Sequence, residues 1–345
     1  MPASASDLVK LRLSAEDRQR LKILFIAKHA LADGGRDPVD GDHAVYHRHV
    51  RDTLEGLGFN LIVANSFDVL NTRPDADFVF SLLNRGGFFN SEMLAPLLCS
   101  RLGIPYLGAR PILRGLSDDK HLMKMAARAR GVPTADSAIC RFGQPIPATA
   151  PFAADRYVSK PNNSSASWGV NAACTWDEVR EQITAIHAEG HDALVEPFMR
   201  GIDLELPVIG GPKAEQFLPL MRFTFDPDAL RTYAHKRGFE KSDAKLEREL
   251  DEDVIRKVAQ YTRALLPELS PFDYGRFEYR LDAETGEVRF LEVNLQCNIW
   301  APRVIGTSAG IAGFTYPELL ETIIASSLMR QGLLEQEPER IPAHG

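Results

Sequence analysis

Residues 276–298, RFEYRLDAETGEVRFLEVNLQCN, put acids where a strand pair should avoid them. Two alternating runs flank a polar turn containing Gly286, so the stretch reads as a β-hairpin. In that register Glu278 faces Glu292 and Arg276 faces Asn294, with Phe277, Tyr279, Leu291 and Val293 together on the other face. Directly opposed like charges destabilise a strand pair. Two carboxylates and an amide oxygen on one face suit a hard divalent cation such as magnesium. That ion takes oxygen ligands and is usually held by one or two carboxylates together with substrate phosphates. The residues alone leave a second reading open, a solvated hairpin face on which Arg276 and Arg280 screen the glutamates.

Further stretches could serve the same chemistry. In RYVSKPNNSSASWGV (156–170) a strand-like run ends at Lys160 and opens into small polar residues before Gly169. Small side chains let backbone N–H groups close on an anion, and a lysine at the strand end adds a point charge. An ordinary Ser/Asn surface turn fits the same letters. It is not a Walker loop, since GxxxxGK[ST] occurs nowhere in the chain. In LVEPFMRGIDLEL (194–206) an apolar run reaches Glu196 and returns through Gly201 to Asp203 and Glu205. Such a linker could offer backbone groups to a base and a carboxylate to ribose hydroxyls, or be a strand–turn–strand with exposed acids. His43, His47 and His49 in HAVYHRH lack a partner glutamate motif and read as a solvated helix face. No serine is read as a nucleophile, and Cys297 would need a histidine that the sequence does not place.

The elements that must position these residues follow from periodicity. LKILFIA, FNLIVAN, DFVFSLL and IPYLG read as strands, with helical stretches at AVYHRHVRDTLEGLG and MLAPLLCSRLG between them. Strands alternating with helices predict an open, mostly parallel α/β unit over roughly the first 115 residues. No GxGxxG follows its first strand, so a nicotinamide-binding fingerprint is not supported. LSDDKHLMKMAARARG predicts one helix capped by Ser117 and stopped at Gly131. Thr175 with Glu178, and Thr315 with Glu318, are spaced as capping boxes at the starts of two later helices. The last residues, EQEPERIPAHG, read as a loose tail.

With 345 residues the chain can form two or three subdomains with real cores. A net charge of −7 and the absence of a basic stripe argue against nucleic acid or an anionic membrane surface as partner. The N-terminal residues lack the apolar stretch of a secretory signal, and ILFIA is far too short to span a bilayer. Cys99, Cys140, Cys174 and Cys297 form no CxxC pair, which suits free thiols in a reducing cytoplasm. A cytoplasmic protein is expected.

Taken in order, GIPYLG, LSDDKHLMK, VSKPNNSSASWGV, LVEPFMRGIDLEL, AHKRG, RFEYRLD and FLEVN closely resemble the D-alanine–D-alanine ligase branch of the ATP-grasp superfamily. The resemblance covers nearly the whole chain. It implies an α/β chain of ATP-grasp fold, with an N-terminal open parallel α/β domain over 1–116 and a small central lid subdomain over 117–196. A C-terminal α+β subdomain over 197–332 and a tail over 333–345 complete it. Lys120 and Lys160 resemble the lysines that touch ATP phosphates, with Lys160 reaching toward adenine as well and Ser167 in the phosphate loop. Glu196 resembles the residue receiving the adenine amino group, with the backbone at Phe198 close by, and Asp203 stands at the ribose where glutamate is usual. Lys236 resembles the lysine on the γ-phosphate. Glu278, Glu292 and Asn294 resemble ligands of two magnesium ions, for which manganese is a substitute, and Arg276 resembles the arginine that stabilises a tetrahedral oxyanion. The implied reaction joins a small carboxylate to a small amine through an acylphosphate. A homodimer is what the family implies.

Departures fall on the amino-acid side. The family's Gly-Ser-Ser reads Ser165, Ala166, Ser167 here; its His-Gly reads Leu83, Asn84, and the acids that follow are Phe88 and Phe89. No residue matches the N-terminal glutamate that orients the first D-alanine. After Asn294, Ser-Pro-Gly becomes Gln296, Cys297, Asn298. Asn298 and Arg303 are read as substrate residues, with Arg303 near the acceptor-carboxylate position and Trp300 beside it. The expectation is an ATP- and magnesium-dependent carboxylate–amine ligase joining amino acids, or an amino acid and a small metabolite, in specialised-metabolite biosynthesis. The alternatives are a D-alanine–D-alanine ligase of cell-wall synthesis and a non-ligating ATP-binding regulatory protein.

Overall fold

The computed structural model describes residues 8–82, 93–164, 168–211, 214–230 and 243–343. The chain opens with β1 (Val9–Arg12), α1 (Ala15–Arg20), β2 (Lys22–Ile26), α2 (His43–Gly56), β3 (Asn60–Ala64), β4 (Phe78–Ser81) and α3 (Leu94–Leu102). As the alternation predicts, β2 lies between β3 and β4 with both parallel to it. KILFI is apolar almost throughout because both faces of β2 are covered. Ile23 and Phe25 pack into one core cluster, Leu24 and Ile26 into another. Residues 104–108, predicted as a strand, make one parallel bridge, Tyr106 with Val79. Pro105 has no N–H to pair, and Gly108 at φ 116° turns the chain away.

The helix predicted over LSDDKHLMKMAARARG is two helices, α4 (Pro111–Asp118) and α5 (Lys120–Ala129). Ser117 is buried inside α4, its hydroxyl donating to the Arg114 carbonyl at 2.9 Å. Asp119 is the cap instead, its carboxylate accepting from the Leu122 N–H at 2.9 Å. The break places Lys120 at the first position of α5 and Lys124 one turn later on the same face.

Strands β5 (Ala138–Cys140), β6 (Tyr157–Pro161), β7 (Asn171–Ala173) and β8 (Ala193–Pro197), with α6 (Trp176–Ala188), form an antiparallel sheet of order β5-β8-β6-β7. Helix α6 starts with the expected Thr175–Glu178 capping box. The next elements are β9 (Gly201–Ile209), β10 (Gln216–Phe217), β11 (Met221–Thr224), β12 (Lys245–Arg248), α7 (Glu252–Leu269), β13 (Tyr274–Asp282) and β14 (Val288–Asn294). They make a sheet of order β12-β11-β9-β13-β14, with β10 on β9. Gly201 begins β9 at φ 145°, where a Cβ would sit 2.0 Å from the Leu281 carbonyl oxygen. Only glycine allows the turn from β8 to lie so close on β13.

The chain closes with α8 (Val304–Ile311), α9 (Tyr316–Arg330, with its Thr315–Glu318 capping box) and β15 (Glu339–Pro342). Residues 333–345, expected as a loose tail, therefore carry a strand. It pairs antiparallel with β1, and the Ala343 N–H donates to the Leu8 carbonyl at 2.8 Å. ERIP is too short and polar to announce a strand, and its partner is the far end of the sequence. Among the described residues no helix is long and apolar enough to cross a membrane.

Candidate active site

The β13–β14 register pairs Arg276 with Asn294 and Glu278 with Glu292. On the other side of β13, Glu278 pairs with Glu205 of β9, so three acids stand in a row across the sheet. Arg276 lies among them, its Nη2 at 2.5 Å from Glu278 Oε1 and its Nε at 2.8 Å from Glu205 Oε2. Burial alone would push the guanidinium pKa down, but Glu205 and Glu278 outweigh it and hold the charge. Glu292 faces a different cation, Lys120 Nζ at 3.4 Å. Each opposed glutamate thus has its own positive partner. Arg280, expected to screen them, instead reaches Asp203 at 2.6 Å. A bulge between Glu278 and Tyr279 shifts the pairing, so Phe290 rather than Leu291 lies opposite Tyr279. Leu291 turns into the cleft beside Glu292, against the expected alternation.

That cleft is lined by Lys120, Lys160, Glu196, Asp203, Glu278 and Glu292, among others. At its inner end the buried Glu196 carboxylate sits between two ammonium groups, Lys160 on Oε2 and Lys124 on Oε1. Burial drives the Glu196 pKa up, yet Lys124 and then Lys160 outweigh it and hold the carboxyl down at about 2. Lys160 is raised, since Glu196 and Glu292 overcome its desolvation, whereas burial dominates at Lys124 and lowers it. Lys124 escaped the sequence reading. Its available signal was its spacing, one turn beyond Lys120.

Lys120 also donates to the Ser164 carbonyl at 2.6 Å. The Phe198 N–H is committed to the Arg156 carbonyl at 2.8 Å, so the backbone there can offer a base only its own carbonyl. Arg280 ties the Asp203 end of the cleft to β8–β9 by donating to the Met199 carbonyl at 3.1 Å. Lys236 and Ser167 lie outside the described residues, as do Leu83, Asn84, Phe88, Phe89, Ser165 and Ala166.

Beyond Asn294 the chain crosses to the first sheet. Asn294 Oδ1 accepts from the Gln296 N–H at 2.9 Å, and the Gln296 amide donates to the Ser81 carbonyl at the end of β4. The Ile299 N–H donates to the Tyr46 hydroxyl at 3.1 Å, and Trp300 Nε1–H to His49 Nδ1 at 3.0 Å. Asn298 shapes this turn, its Oδ1 accepting from the Trp300 N–H at 2.8 Å. Arg303 Nη2 stands 3.8 Å from Asp42 Oδ2, and its guanidinium carbon lies 5.9 Å from the Trp300 ring centroid.

The histidines of α2 are not a solvated face. His47 is buried and accepts the His29 N–H on Nδ1 at 3.2 Å; only His49 is exposed. His29, Asp37 and Asp40 bring potential ligand atoms within 4.8 Å of one another, but Lys28 already pairs with Asp40. Contrary to the expectation that no GxSxG elbow occurs, the sequence holds Gly306, Ser308 and Gly310 at the spacing of a nucleophile elbow. Ser308 is fully buried within α8 and donates to the Pro219 carbonyl at 2.6 Å, so it ties α8 down.

Glu278 and Glu292 line the β13–β14 end of the cleft, with the Asn294 amide two residues beyond Glu292 on β14, and two lysines and a buried glutamate stand at the other. This donor set fits a hard divalent cation beside a polyphosphate. Two antiparallel sheets, β5-β8-β6-β7 and the one containing β9, β13 and β14, close on this cleft, the layout of an ATP-grasp fold. The family model described as "D-ala D-ala ligase C-terminus" matches residues 156–325. A D-alanine–D-alanine ligase of Haemophilus ducreyi is 25% identical over 285 residues, covering 81% of this chain and 91% of that protein. The uncharacterised protein y4sG of Sinorhizobium fredii is 27% identical over 238 residues, 66% of this chain and 68% of that one. Among solved structures, the D-alanine–D-alanine ligase of Bacillus anthracis complexed with ATP matches with a TM-score of 0.70 at 20% identity, over 90% of this chain and 99% of its own. Residues 156–325 thus match the D-alanine–D-alanine ligase family, and over most of its length the chain is similar to these ADP-forming ATP-grasp ligases.

Proposed function

We propose that this ligase uses ATP to activate the carboxylate of one small amino acid and joins it to the amine of a second, with D-alanine the first substrate to test. The observation that carries the reading is the joint lining of one cleft by Lys120, Lys160, Glu196, Asp203, Glu278 and Glu292. In this reading Lys120, Lys160 and Lys236 meet the phosphates, with Ser167 in the loop over them. Glu196 accepts from the adenine amino group and Asp203 from the ribose. Glu278, Glu292 and Asn294 would hold two magnesium ions, with manganese as a substitute. Bound there, a divalent ion neutralises phosphate charge and polarises the group being transferred.

The substrate carboxylate attacks the γ-phosphorus, releasing ADP and leaving an acylphosphate. The amine then attacks the acyl carbon, the bond from that carbon to the phosphate oxygen breaks with its electron pair leaving on inorganic phosphate, and the nitrogen gives up one proton, which the departing phosphate can carry away. Arg276, fixed by Glu205 and Glu278, supplies positive charge where the tetrahedral oxygen develops. Little covalent chemistry is left to the protein beyond positioning and charge.

The comparisons support a D-alanine-type reading more directly than the setting in specialised metabolism that the pocket departures suggest. A second reading keeps the chemistry and changes the acceptor. It is favoured by Arg303, which lies near Asp42 and Trp300 on the segment after Asn294. Release of ADP and phosphate with ATP, magnesium and pairs of amino acids tests both. Turnover with D-alanine alone supports the first; turnover only with a different acceptor supports the second. ATP binding with no amine-dependent ADP release across the panel overturns ligation in favour of a regulatory role. Assembly as a homodimer is checked by sedimentation of the full chain.

A further inference from the structure

Glu196 has two cations, and they differ in access. Lys160 lies at the cleft surface with 12% of its side chain exposed, while Lys124 is sealed behind the carboxylate with none. Lys124 is also tied elsewhere. Its ammonium donates to Thr134 Oγ1 at 2.8 Å, and that hydroxyl donates to the Phe290 carbonyl at 2.8 Å. The Phe290 N–H in turn donates to the Pro133 carbonyl at 2.7 Å. Lys124 is therefore anchored to the strand that carries Glu292, two residues along β14.

An arriving polyphosphate attracts the accessible lysine. A phosphate oxygen is a stronger partner for an ammonium than a carboxylate that already has a second cation. Were Lys160 the sole counter-ion, its departure would strand a buried carboxylate, and uncompensated buried charge is strongly destabilising. Lys124 removes that obstacle, because it stays on Oε1 when Oε2 is vacated. An ionised carboxylate has only acceptor sites, so the vacated oxygen can take an N–H from an amino-bearing base.

We propose that Lys124 is a positioning residue that holds Glu196 while Lys160 passes from Glu196 to the nucleotide phosphates. The proposal rests on the reading that ATP occupies this cleft. The handover makes phosphate capture and base recognition two consequences of one exchange.

The test measures ATP binding to the full chain by calorimetry, with steady-state kinetics beside it. If the unaltered chain binds no ATP, the reading of the cleft fails before this proposal is reached. Given binding, Lys124→Met is expected to weaken ATP at least ~10-fold, the scale of one charged contact, with a much smaller change in kcat at saturation. Glu196→Gln alone should also weaken ATP. In the Lys124→Met background, however, Glu196→Gln should restore affinity, because it frees Lys160 from the carboxylate it directly contacts. A purely structural Lys124 would give losses that add. Thr134→Val, which keeps every charge, should raise the KM for ATP by about 3-fold and decides alone if Lys124→Met does not fold. Lys124→Met binding ATP as tightly as the parent, a double variant no tighter than Lys124→Met, or an unaffected Thr134→Val each overturns the proposal.

Discussion

The guanidinium of Arg280 lies 2.6 Å from the carboxylate of Asp203, across the β9–β13 ladder that pairs the two residues. The same side chain donates to the Met199 carbonyl at 3.1 Å, so one arginine fixes the acid and the turn before it. Asp203 is a shorter acid than the glutamate usual at the family's ribose position, and a fixed partner holds it in one place. Arg280→Met should therefore raise the KM for ATP about 5- to 10-fold with kcat far less affected. Breaking a largely buried pair should also lower stability by about 2–3 kcal/mol. Kinetics at varied ATP and a denaturant melt check both, and an unchanged KM removes Asp203 from the nucleotide site.

At the other end of the cleft, Glu292→Gln keeps an oxygen donor while removing a charge. Lys120 loses its partner at 3.4 Å, and the proposed metal site loses one of two carboxylates. Activity should fall at least ~10-fold, and the magnesium concentration for half-maximal rate should rise. A titration of rate against magnesium is the measurement. Parent-like turnover at low magnesium would show that the opposed glutamates only balance Arg276 and Lys120.

The buried imidazole of His47 makes stability depend on pH. Burial first, then repulsion from His43 and His29, lowers its pKa to about 3, with Asp40 opposing. The unfolded chain takes up that proton near pH ~6.5, well before the folded one. The stabilising contribution is therefore complete above the unfolded value and is lost as pH falls from there toward the folded value. Between pH ~6.5 and ~5 the loss should be about 2 kcal/mol. His47→Asn keeps an acceptor for the His29 N–H and cannot titrate, so its melts at neutral pH and at pH ~5 should differ by less than the parent's. Equal losses in both proteins would assign the acid sensitivity elsewhere.

What the sequence made legible were local patterns with one physical solution. Alternation around a glycine turn sets a hairpin register, and that register brought Glu278 opposite Glu292. Thr175 with Glu178 can satisfy each other's backbone donors in one way, and they do. Where two solutions shared the same letters, the choice depended on contacts distant in sequence. Ser117 and Asp119 both cap helices well, and only the packing of α4 decides against Ser117. A bulge leaves no mark in FLEV, so Leu291 was assigned to the wrong face. Lys124 and His47 sit in helices whose polar letters look solvated, and their partners Glu196 and His29 lie in other segments. β15 finds its strand partner some three hundred residues away, beyond the reach of any local pattern.

The acceptor side carries the last prediction. Arg303 caps the start of α8, with its guanidinium over Trp300 and 3.8 Å from Asp42. A guanidinium can hold a carboxylate through two parallel hydrogen bonds, a geometry that serine or lysine cannot reproduce. At 3.8 Å the Asp42 contact is long for such a bond, and an acceptor's carboxylate has the same chemistry as the Asp42 side chain. The expectation is competition between the two for one arginine. Arg303→Ala should then raise the acceptor's KM more than ~10-fold while leaving the KM for ATP within about 2-fold. Asp42→Asn removes this competing carboxylate and should lower the acceptor's KM, a change of opposite sign. Kinetics with the acceptor varied at saturating ATP separate the outcomes. If both variants leave the acceptor's KM unchanged, Arg303 serves only to join α8 to the start of α2, and the acceptor is held elsewhere.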